Sequence, residues 1–145
     1  MILGGFYMSG PGLKHVDSHA AIHDAALSEA REINSLLARL LIEEEKEKAL
    51  ETAHIAVEHW ETRTLRHADA EEKGLYKELV KEKPELKDDV IALTRDHNTM
   101  RYLVKNIKEK LETEGMTDDI LQQFHALVYV DEYHNLEEEK ILPHH

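Results

Sequence analysis

Two His-x-x-x-Glu pairs lie far apart in this chain, each in a stretch with helical periodicity: His67 with Glu71, and His134 with Glu138. A spacing of four residues places both side chains of a pair on one face of an α-helix, one turn apart. Two further histidines, His19 and His97, lie in other stretches with helical periodicity. Helical bundles hold metal ions with histidines and glutamates that point inwards from several helices, so this pattern predicts an all-α bundle with a polar centre.

Composition agrees with a helical protein of one domain. The 145 residues include 41% hydrophobic and 33% charged residues but only 6 glycines and 3 prolines, which suits long helices and leaves few residues for turns. Four of those 6 glycines lie within residues 1–16. We therefore interpret residues 1–16 as an N-terminal arm, residues 17–143 as the bundle and residues 144–145 as a tail.

Charge and cysteine content exclude several classes of function. A net charge of -12 leaves no basic surface for nucleic acid or for anionic lipid headgroups. With 0 cysteines, the chain has no disulfide, thiolate metal site or cysteine nucleophile. No apolar run approaches the roughly 18 residues of a membrane span, and the first residues lack the basic region of a signal peptide. We expect a cytoplasmic protein that is a monomer or a weak homo-oligomer.

Capping and helix-breaking residues predict where four helices begin and end. Residues 17–18 are Asp-Ser, which provides an N-cap for the first helix. The acidic run at residues 43–45 predicts the first turn, and Pro84 predicts the start of the third helix. A glycine followed by a threonine cap at residues 115–117 separates the third helix from the fourth, which Pro143 ends.

These turns also predict which polar side chains meet inside the protein. In an antiparallel up-down-up-down bundle, residues on consecutive helices lie at one height when they are equidistant from the turn between them. With a rise of about 1.5 Å per residue, the predicted turns satisfy this condition for six side chains, which should form a metal site: His19, His67, Glu71, His97, His134 and Glu138. A third pair, His54 with Glu58, lies about 20 Å and roughly 140° away from His67 and is predicted on the surface.

The predicted donors are four imidazoles and two carboxylates. Mixed nitrogen and oxygen donors suit iron, manganese or zinc and fit calcium and magnesium poorly. Each carboxylate can bridge two ions, and positions then stay open for an exogenous ligand. His23, one turn after His19, is a candidate fifth imidazole or a partly buried histidine beside the site. Asp131 is a candidate for orienting a ligand imidazole, or a charge at the margin of the ligand face.

In order and spacing, these residues resemble the hemerythrin-like family, also called the HHE cation-binding family. The resemblance covers nearly the whole chain after the arm and includes the strings Asp96-His97 and Glu137-Glu138, the latter followed by Leu142. It implies an antiparallel four-helix bundle with a non-haem di-iron centre, bridged by carboxylates and by an oxo or hydroxo ligand. Members of the family bind O2 reversibly, sense oxygen or iron, or handle nitric oxide and peroxide.

Two positions differ from the oxygen-carrying members of this family. Respiratory hemerythrins have a second histidine four residues after the one on the third helix, where this chain has Arg101. The carboxylate of the fourth helix is Glu138, four residues after His134, whereas the oxygen carriers use an aspartate five residues after. Pure O2 transport is therefore not the expected role.

Three functional hypotheses follow from these observations. The preferred one is a di-iron protein that binds or reacts with O2, peroxide or nitric oxide, in oxygen or redox sensing, storage or detoxification. The alternatives are an iron-responsive interaction module without turnover and a structural zinc- or manganese-binding bundle. Peroxidase-like, catalase-like or nitric-oxide-handling activity stays open, and the sequence contains no hydrolase or transferase signature.

Overall fold

The computed structural model describes residues 11–142, with side chains from Ala20 onwards. The α-helices are α1 Pro11–Ile42, α2 Lys46–His59, α3 Arg66–Lys73, α4 Leu75–Glu82, α5 Lys87–Glu114 and α6 Asp118–Ile141. A π-helical segment, Trp60–Leu65, joins α2 to α3, and a 3-10 turn, Pro84–Leu86, precedes α5. No strand occurs within residues 11–142, which confirms the prediction of an all-α protein. Residues 1–10 of the predicted arm and the predicted tail at 144–145 lie outside the described residues.

The first helix begins earlier than the sequence predicts. It starts at Pro11, so residues 11–16, which the sequence assigns to the arm, are helical and the expected cap at residues 17–18 lies inside α1. Proline suits the first turn of a helix because its fixed φ matches the helix and because the N–H that it lacks has no partner there.

The turns lie where the breaker residues predicted them. Glu44, in the acidic run after α1, has a positive φ of 58°. The turn before α5 contains Pro84. Gly115 ends α5 with a φ of 72° and a ψ of -164°, a conformation that other residues rarely adopt. The Thr117 hydroxyl then caps α6 by accepting a hydrogen bond from the backbone N–H of Ile120 at 3.3 Å.

The second predicted helix is interrupted twice, which its helical periodicity did not indicate. A π-helical turn such as that in Trp60–Leu65 contains an extra residue, which rotates the following side chains by about 100° relative to an uninterrupted α-helix. Gly74, with a φ of -117° and a ψ of -82°, then separates α3 from α4. As a result Tyr76 is buried, whereas Leu75, which unbroken helical spacing directs inwards, is only partly buried.

The helices pack side by side in a bundle-like arrangement. Helix α1 contacts α2 and α6, and α5 contacts α6, α2 and the π-helical segment. Most of the core is one large apolar cluster, in which Leu37, Trp60, Ile107 and Phe124 are at most 1% exposed. Burying a side chain of this size contributes roughly 1.5–3 kcal/mol to folding. None of the helices within residues 11–142 combines the length and the apolar character needed to cross a bilayer.

A layer of buried polar residues separates the large apolar cluster from a small one. The small cluster contains Tyr76, Leu79, Leu93 and Leu142. Along α5 and along α6, the buried polar residues lie between members of the two clusters. In the stretch from Trp60 to Tyr76, the buried Glu71 likewise lies between Trp60 of the large cluster and Tyr76 of the small one. This polar layer is where the predicted metal site should be.

Candidate metal site

Ionisable side chains from α1, α3, α5 and α6 come together in the polar layer. Two groups have donor atoms that all lie within 4.8 Å of one another: one is Glu71, His97, His134 and Glu138, and the other is His23, His67 and Glu71. Every residue of the first group is at most 4% exposed. His19, the remaining predicted ligand, lies in α1, but its side chain is outside the described residues. Five of the six predicted side chains are therefore brought together, with His23 beside them.

The first group has the spacing of ligands around one ion. The Nε2 atoms of His97 and His134 are 3.0 Å apart, and Glu71 Oε1 is 3.1 Å from His97 Nε2. Glu138 Oε2 is 3.4 Å from His134 Nε2. Donors bound at about 2.0–2.1 Å to a common ion are roughly 2.9–3.4 Å apart in octahedral or tetrahedral geometry. This buried group could therefore hold a transition-metal ion.

Carboxylates on the far side of both rings fix the tautomers of these two imidazoles. His97 Nδ1 donates to Glu72 Oε2 at 2.7 Å, and His134 Nδ1 donates to Asp96 Oδ2 at 3.2 Å. Because an ionised carboxylate only accepts hydrogen bonds, each Nδ1 carries a proton, and in its neutral form each ring presents a lone pair at Nε2. Histidine ligands of metal ions are commonly oriented in this way. With the two Nε2 atoms 3.0 Å apart, either a proton or a metal ion between them removes the repulsion of the two lone pairs.

Asp96, rather than Asp131, is the carboxylate that holds His134. Asp131, the sequence's candidate for orienting an imidazole, is 4% exposed, and its charge acts on His23 and His134. Burial raises the pKa of Asp131 to about 6, although the neighbouring histidines oppose this shift. The orienting carboxylates Asp96 and Glu72 come instead from positions next to the predicted ligands in the chain.

Glu71 faces both groups of histidines. Its Oε1 is 3.1 Å from His97 Nε2. Its Oε2 is 3.5 Å from His23 Nε2 and 3.7 Å from His67 Nε2. The rings of His23 and His67 meet edge to face, with their centroids 5.0 Å apart. One carboxylate is thus shared between a buried pair of imidazoles and a more exposed pair.

Glu138 repeats this arrangement from α6. Its Oε2 faces His134, and its Oε1 lies 3.7 Å from His23 Nδ1. Glu71 and Glu138 therefore each direct one oxygen towards the buried imidazoles and the other towards His23. His23, which the sequence left open between ligand and neighbour, is in contact with both carboxylates.

Tyr76 belongs to the site, and sequence reasoning missed it. Its hydroxyl donates to Glu138 Oε2 at 2.5 Å and lies 3.4 Å from His134 Nε2. Its ring stacks on that of His97, with centroids 5.6 Å apart and planes within 6°. Burial and the surrounding carboxylates raise the pKa of Tyr76 far above its usual value, so the phenol keeps its proton and acts as a donor.

The carboxylates of the site also favour protonated imidazoles. Burial alone lowers the pKa of His23, but the hydrogen bond to Glu71 and the charges of the neighbouring carboxylates outweigh it, so the pKa is raised above 6.5. The pKa of His134 is raised in the same way, against burial, by Glu138, Glu71 and Asp96. Without a metal, the site therefore balances part of its negative charge by holding protons.

Other histidines lie away from this cluster. His54 and Glu58 are exposed on α2, as their distance from His67 predicted. His59 Nε2 is paired with Glu29 Oε1 at 2.9 Å on the outside of the bundle. The chain thus contains a His-x-x-x-Glu pair that can serve as a control for the two that meet in the interior.

Comparisons of the chain with protein-family models, with curated proteins and with solved structures found no match. The buried cluster of histidine and glutamate is therefore the feature of this molecule from which its function has to be inferred.

Proposed function

We propose that this protein is a hemerythrin-like di-iron protein that binds or reacts with O2, peroxide or nitric oxide at a carboxylate-bridged centre. The observation that carries the proposal is the position of Glu71 and Glu138. Each directs one oxygen towards His97 or His134 and the other towards His23. Helical bundles that hold two metal ions use inward glutamates from different helices in this way.

An antiparallel up-down-up-down arrangement is part of this proposal. The order of the two apolar clusters along the chain supports it: the stretch from Trp60 to Tyr76 runs from the large cluster to the small one, α5 runs from small to large, and α6 runs from large to small. The turns at residues 43–45 and 115–117 are also short, as expected for neighbouring helices of opposite direction.

The described residues divide into ligands for two ions. His97 and His134 would hold the buried ion, His67 and His23 would hold the more exposed one, and Glu71 with Glu138 would lie between them. His19 is expected to complete the second set from α1. A single tetrahedral zinc needs only four ligands, so a set of this size favours a centre with two ions. When bound, iron supplies the redox chemistry and the affinity for O2, peroxide or nitric oxide.

The protein's own residues limit access to one side of the site. The side chains of His23 and His67 are 14% and 23% exposed, whereas those of His97 and His134 are 2% exposed. A small ligand therefore reaches the site past His23 and His67, while the buried imidazoles exclude water from the opposite side. The protonated hydroxyl of Tyr76 lies 3.4 Å from His134 Nε2, on the side of the site that the buried imidazoles enclose.

Metal analysis and spectroscopy test the proposal. Protein purified without chelators should contain about two iron ions per chain by plasma mass spectrometry, as a centre with two ions requires. After anaerobic reduction, admission of air should produce the near-ultraviolet and visible bands of an oxidised di-iron centre. Bands that disappear when O2 is removed indicate reversible binding, and catalytic loss of peroxide or nitric oxide indicates an enzyme.

Two other outcomes would contradict this function and favour the alternatives. Iron-dependent folding without a spectral response to O2, peroxide or nitric oxide would indicate an interaction module. Protein that retains zinc or manganese in preference to iron would indicate a structural bundle.

A further inference from the structure

Arg101 stands one turn after His97 on α5, but its guanidinium contacts α3 and its own helix rather than the ligand atoms. Its Nη2 donates to Asp69 Oδ1 at 2.7 Å and to Glu72 Oε2 at 2.8 Å. Its Nη1 donates to Asn98 Oδ1 at 2.8 Å. Both hydrogens of Nη2 are therefore engaged with carboxylates of the neighbouring helix.

A single oxygen links this guanidinium to a ligand imidazole. Glu72 Oε2 accepts from Arg101 Nη2 at 2.8 Å and from His97 Nδ1 at 2.7 Å. The Glu72 side chain is 27% exposed, so without the guanidinium its carboxylate could turn towards water, which solvates it better than a helix interface does. The distance of 2.7 Å between Glu72 Oε2 and His97 Nδ1 is also shorter than the 3.2 Å between Asp96 Oδ2 and His134 Nδ1 at the other imidazole.

We propose that Arg101 is a positioning residue of the metal site, which acts through Glu72 to hold His97 in its metal-binding tautomer. This inference rests on the proposed metal site. The guanidinium keeps the carboxylate against Nδ1, so that the proton stays on Nδ1 and the lone pair at Nε2 stays directed at the ion. Arginine suits this role because its planar group donates in fixed directions, whereas lysine offers a mobile point charge.

Loss of the guanidinium should weaken metal binding without removing any ligand. When Glu72 no longer accepts from Nδ1, the proton of His97 can move to Nε2, where it competes with the metal. Removal of residues that orient metal-bound histidines typically lowers metal affinity 10- to 100-fold. We expect a loss in that range for Arg101→Met and for Glu72→Met, which removes the acceptor oxygen.

A double-mutant cycle on Fe2+ affinity tests the proposal. The Fe2+ dissociation constant is measured anaerobically by chelator competition for the wild type, Arg101→Met, Glu72→Met and the double variant. The double variant should bind Fe2+ no more weakly than the weaker single variant, because both substitutions break the same chain of contacts. Lys108→Met is the matched control, since Lys108 also joins α5 to a carboxylate of a neighbouring segment, that of Glu61 in the π-helical segment at 2.9 Å, away from the metal site.

A second measurement does not depend on metal. The proton on His97 Nδ1 exchanges slowly with water while it is hydrogen-bonded to Glu72. Its NMR signal should therefore be visible in the wild-type apoprotein and in Lys108→Met. It should be lost in Glu72→Met and in Arg101→Met. Should Arg101→Met fail to fold, Arg101→Lys takes its place. In this variant the signal of the His97 Nδ1 proton should be weaker than in the wild type, and the Fe2+ affinity should lie between those of the wild type and of the Glu72 variant.

The outcomes separate this inference from the proposed function. Wild-type Fe2+ affinity in Arg101→Met, or losses that add in the double variant, would overturn the role of Arg101 alone. Wild-type protein that binds no Fe2+ would overturn the proposed function, and the role of Arg101 with it. A decrease in Lys108→Met equal to that in Arg101→Met would show a general effect of removing interhelical ion pairs and would also overturn the inference.

Discussion

His97 and His134 present Nε2 to each other across 3.0 Å in the interior of the protein, and a carboxylate bonds the Nδ1 of each ring. If both imidazoles are neutral in these tautomers, their two Nε2 lone pairs repel each other. Burying charged groups beside them adds a desolvation penalty of several kcal/mol for each ion. A metal ion between the rings would remove the repulsion and balance the carboxylates, whereas the apoprotein balances part of this charge with protons on His23 and His134.

Removal of either shared carboxylate should empty the site. We expect Glu71→Ala and Glu138→Ala each to lower the metal content of the purified protein sharply, because each carboxylate faces both groups of imidazoles. His54→Ala should retain the wild-type content, since His54 is exposed on α2. Plasma mass spectrometry of the three variants measures this, and equal metal in all three would contradict the assigned site.

Removal of the metal should lower the stability of the whole protein. A ligand that binds only the folded state at 100 times its dissociation constant contributes about 2.7 kcal/mol to the free energy of unfolding. We expect the metal-loaded protein to melt at a higher temperature than the apoprotein, with the difference abolished in Glu71→Ala. Thermal unfolding by circular dichroism, with and without chelator, measures both, and identical curves would count against a metal inside the bundle.

The apoprotein and the metal-loaded protein should respond to pH in opposite directions. The raised pKa values of His23 and His134 stabilise the folded apoprotein below pH 6.5, and this contribution is lost as the pH rises through the folded values. The pKa of Asp131, raised from 3.8 to about 6, acts in the same direction because its ionisation destabilises the folded state.

The apoprotein should therefore unfold more easily at about pH 8 than at about pH 5.5. Metal ligands must be deprotonated, so the loaded protein should instead lose metal and stability on acidification. Chemical denaturation of both forms across this range measures the two slopes. Apoprotein that grows more stable with rising pH would contradict the histidine and aspartate environments described above.

Tyr76→Phe should lower the free energy of unfolding while the protein keeps its fold. The substitution keeps the ring that stacks on His97 and removes the hydroxyl that donates to Glu138. A hydrogen bond to a charged group contributes about 1.5–3 kcal/mol, so we expect a loss of that order in the free energy of unfolding. Urea denaturation checks it, with Tyr133→Phe as the control because Tyr133 is 67% exposed. Equal stability of the two variants would contradict a structural role for the hydroxyl.

Gly115→Ala should destabilise the turn before α6. The φ of 72° and ψ of -164° at this position are strained for any residue with a Cβ, at about 1–3 kcal/mol. Gly74→Ala should have a smaller effect, because Gly74 has a negative φ and an added Cβ would be 3.4 Å from the Ala70 carbonyl oxygen. The midpoints of urea unfolding compare the two, and a larger loss at Gly74 would contradict this account.

The turns could be predicted because residues within them determine their conformation. Gly115, Pro84 and the Thr117 cap act through their own backbone or side chain, whatever packs around them. Once the turns are known, the height of each side chain follows from the helical rise. This is why the level at which the histidines and glutamates of different helices meet could be predicted without knowledge of their contacts.

The carboxylates that orient the imidazoles could not be predicted in the same way. Glu72 and Asp96 lie one position away from the predicted ligands Glu71 and His97, at the flank of the inward face. Which histidine each reaches depends on how neighbouring helices are rotated. Asp96 precedes His97 in the chain, yet it bonds His134 on another helix, so sequence adjacency alone suggests the wrong partner.

Tyr76 was missed because helical spacing was extended through a break. The π-helical segment Trp60–Leu65 and the break at Gly74 change which residues face inwards. As a result, Tyr76 is buried at the position where unbroken helical spacing predicts Leu75. The only local signal is the glycine itself, and a single glycine within a helix is compatible with an unbroken helix as well as with an interruption.

The unequal size of the two apolar clusters has a consequence for metal exchange. Among the described residues, far fewer buried side chains lie in the cluster of Tyr76, Leu79, Leu93 and Leu142 than in the large one. Segments with few buried apolar contacts open most readily, with the rest of the protein still folded. Amide hydrogens of α4 and of the last turn of α6 should therefore exchange with deuterium before those around Trp60, and this transient opening would give a bound ion a second way out besides the side of His23 and His67.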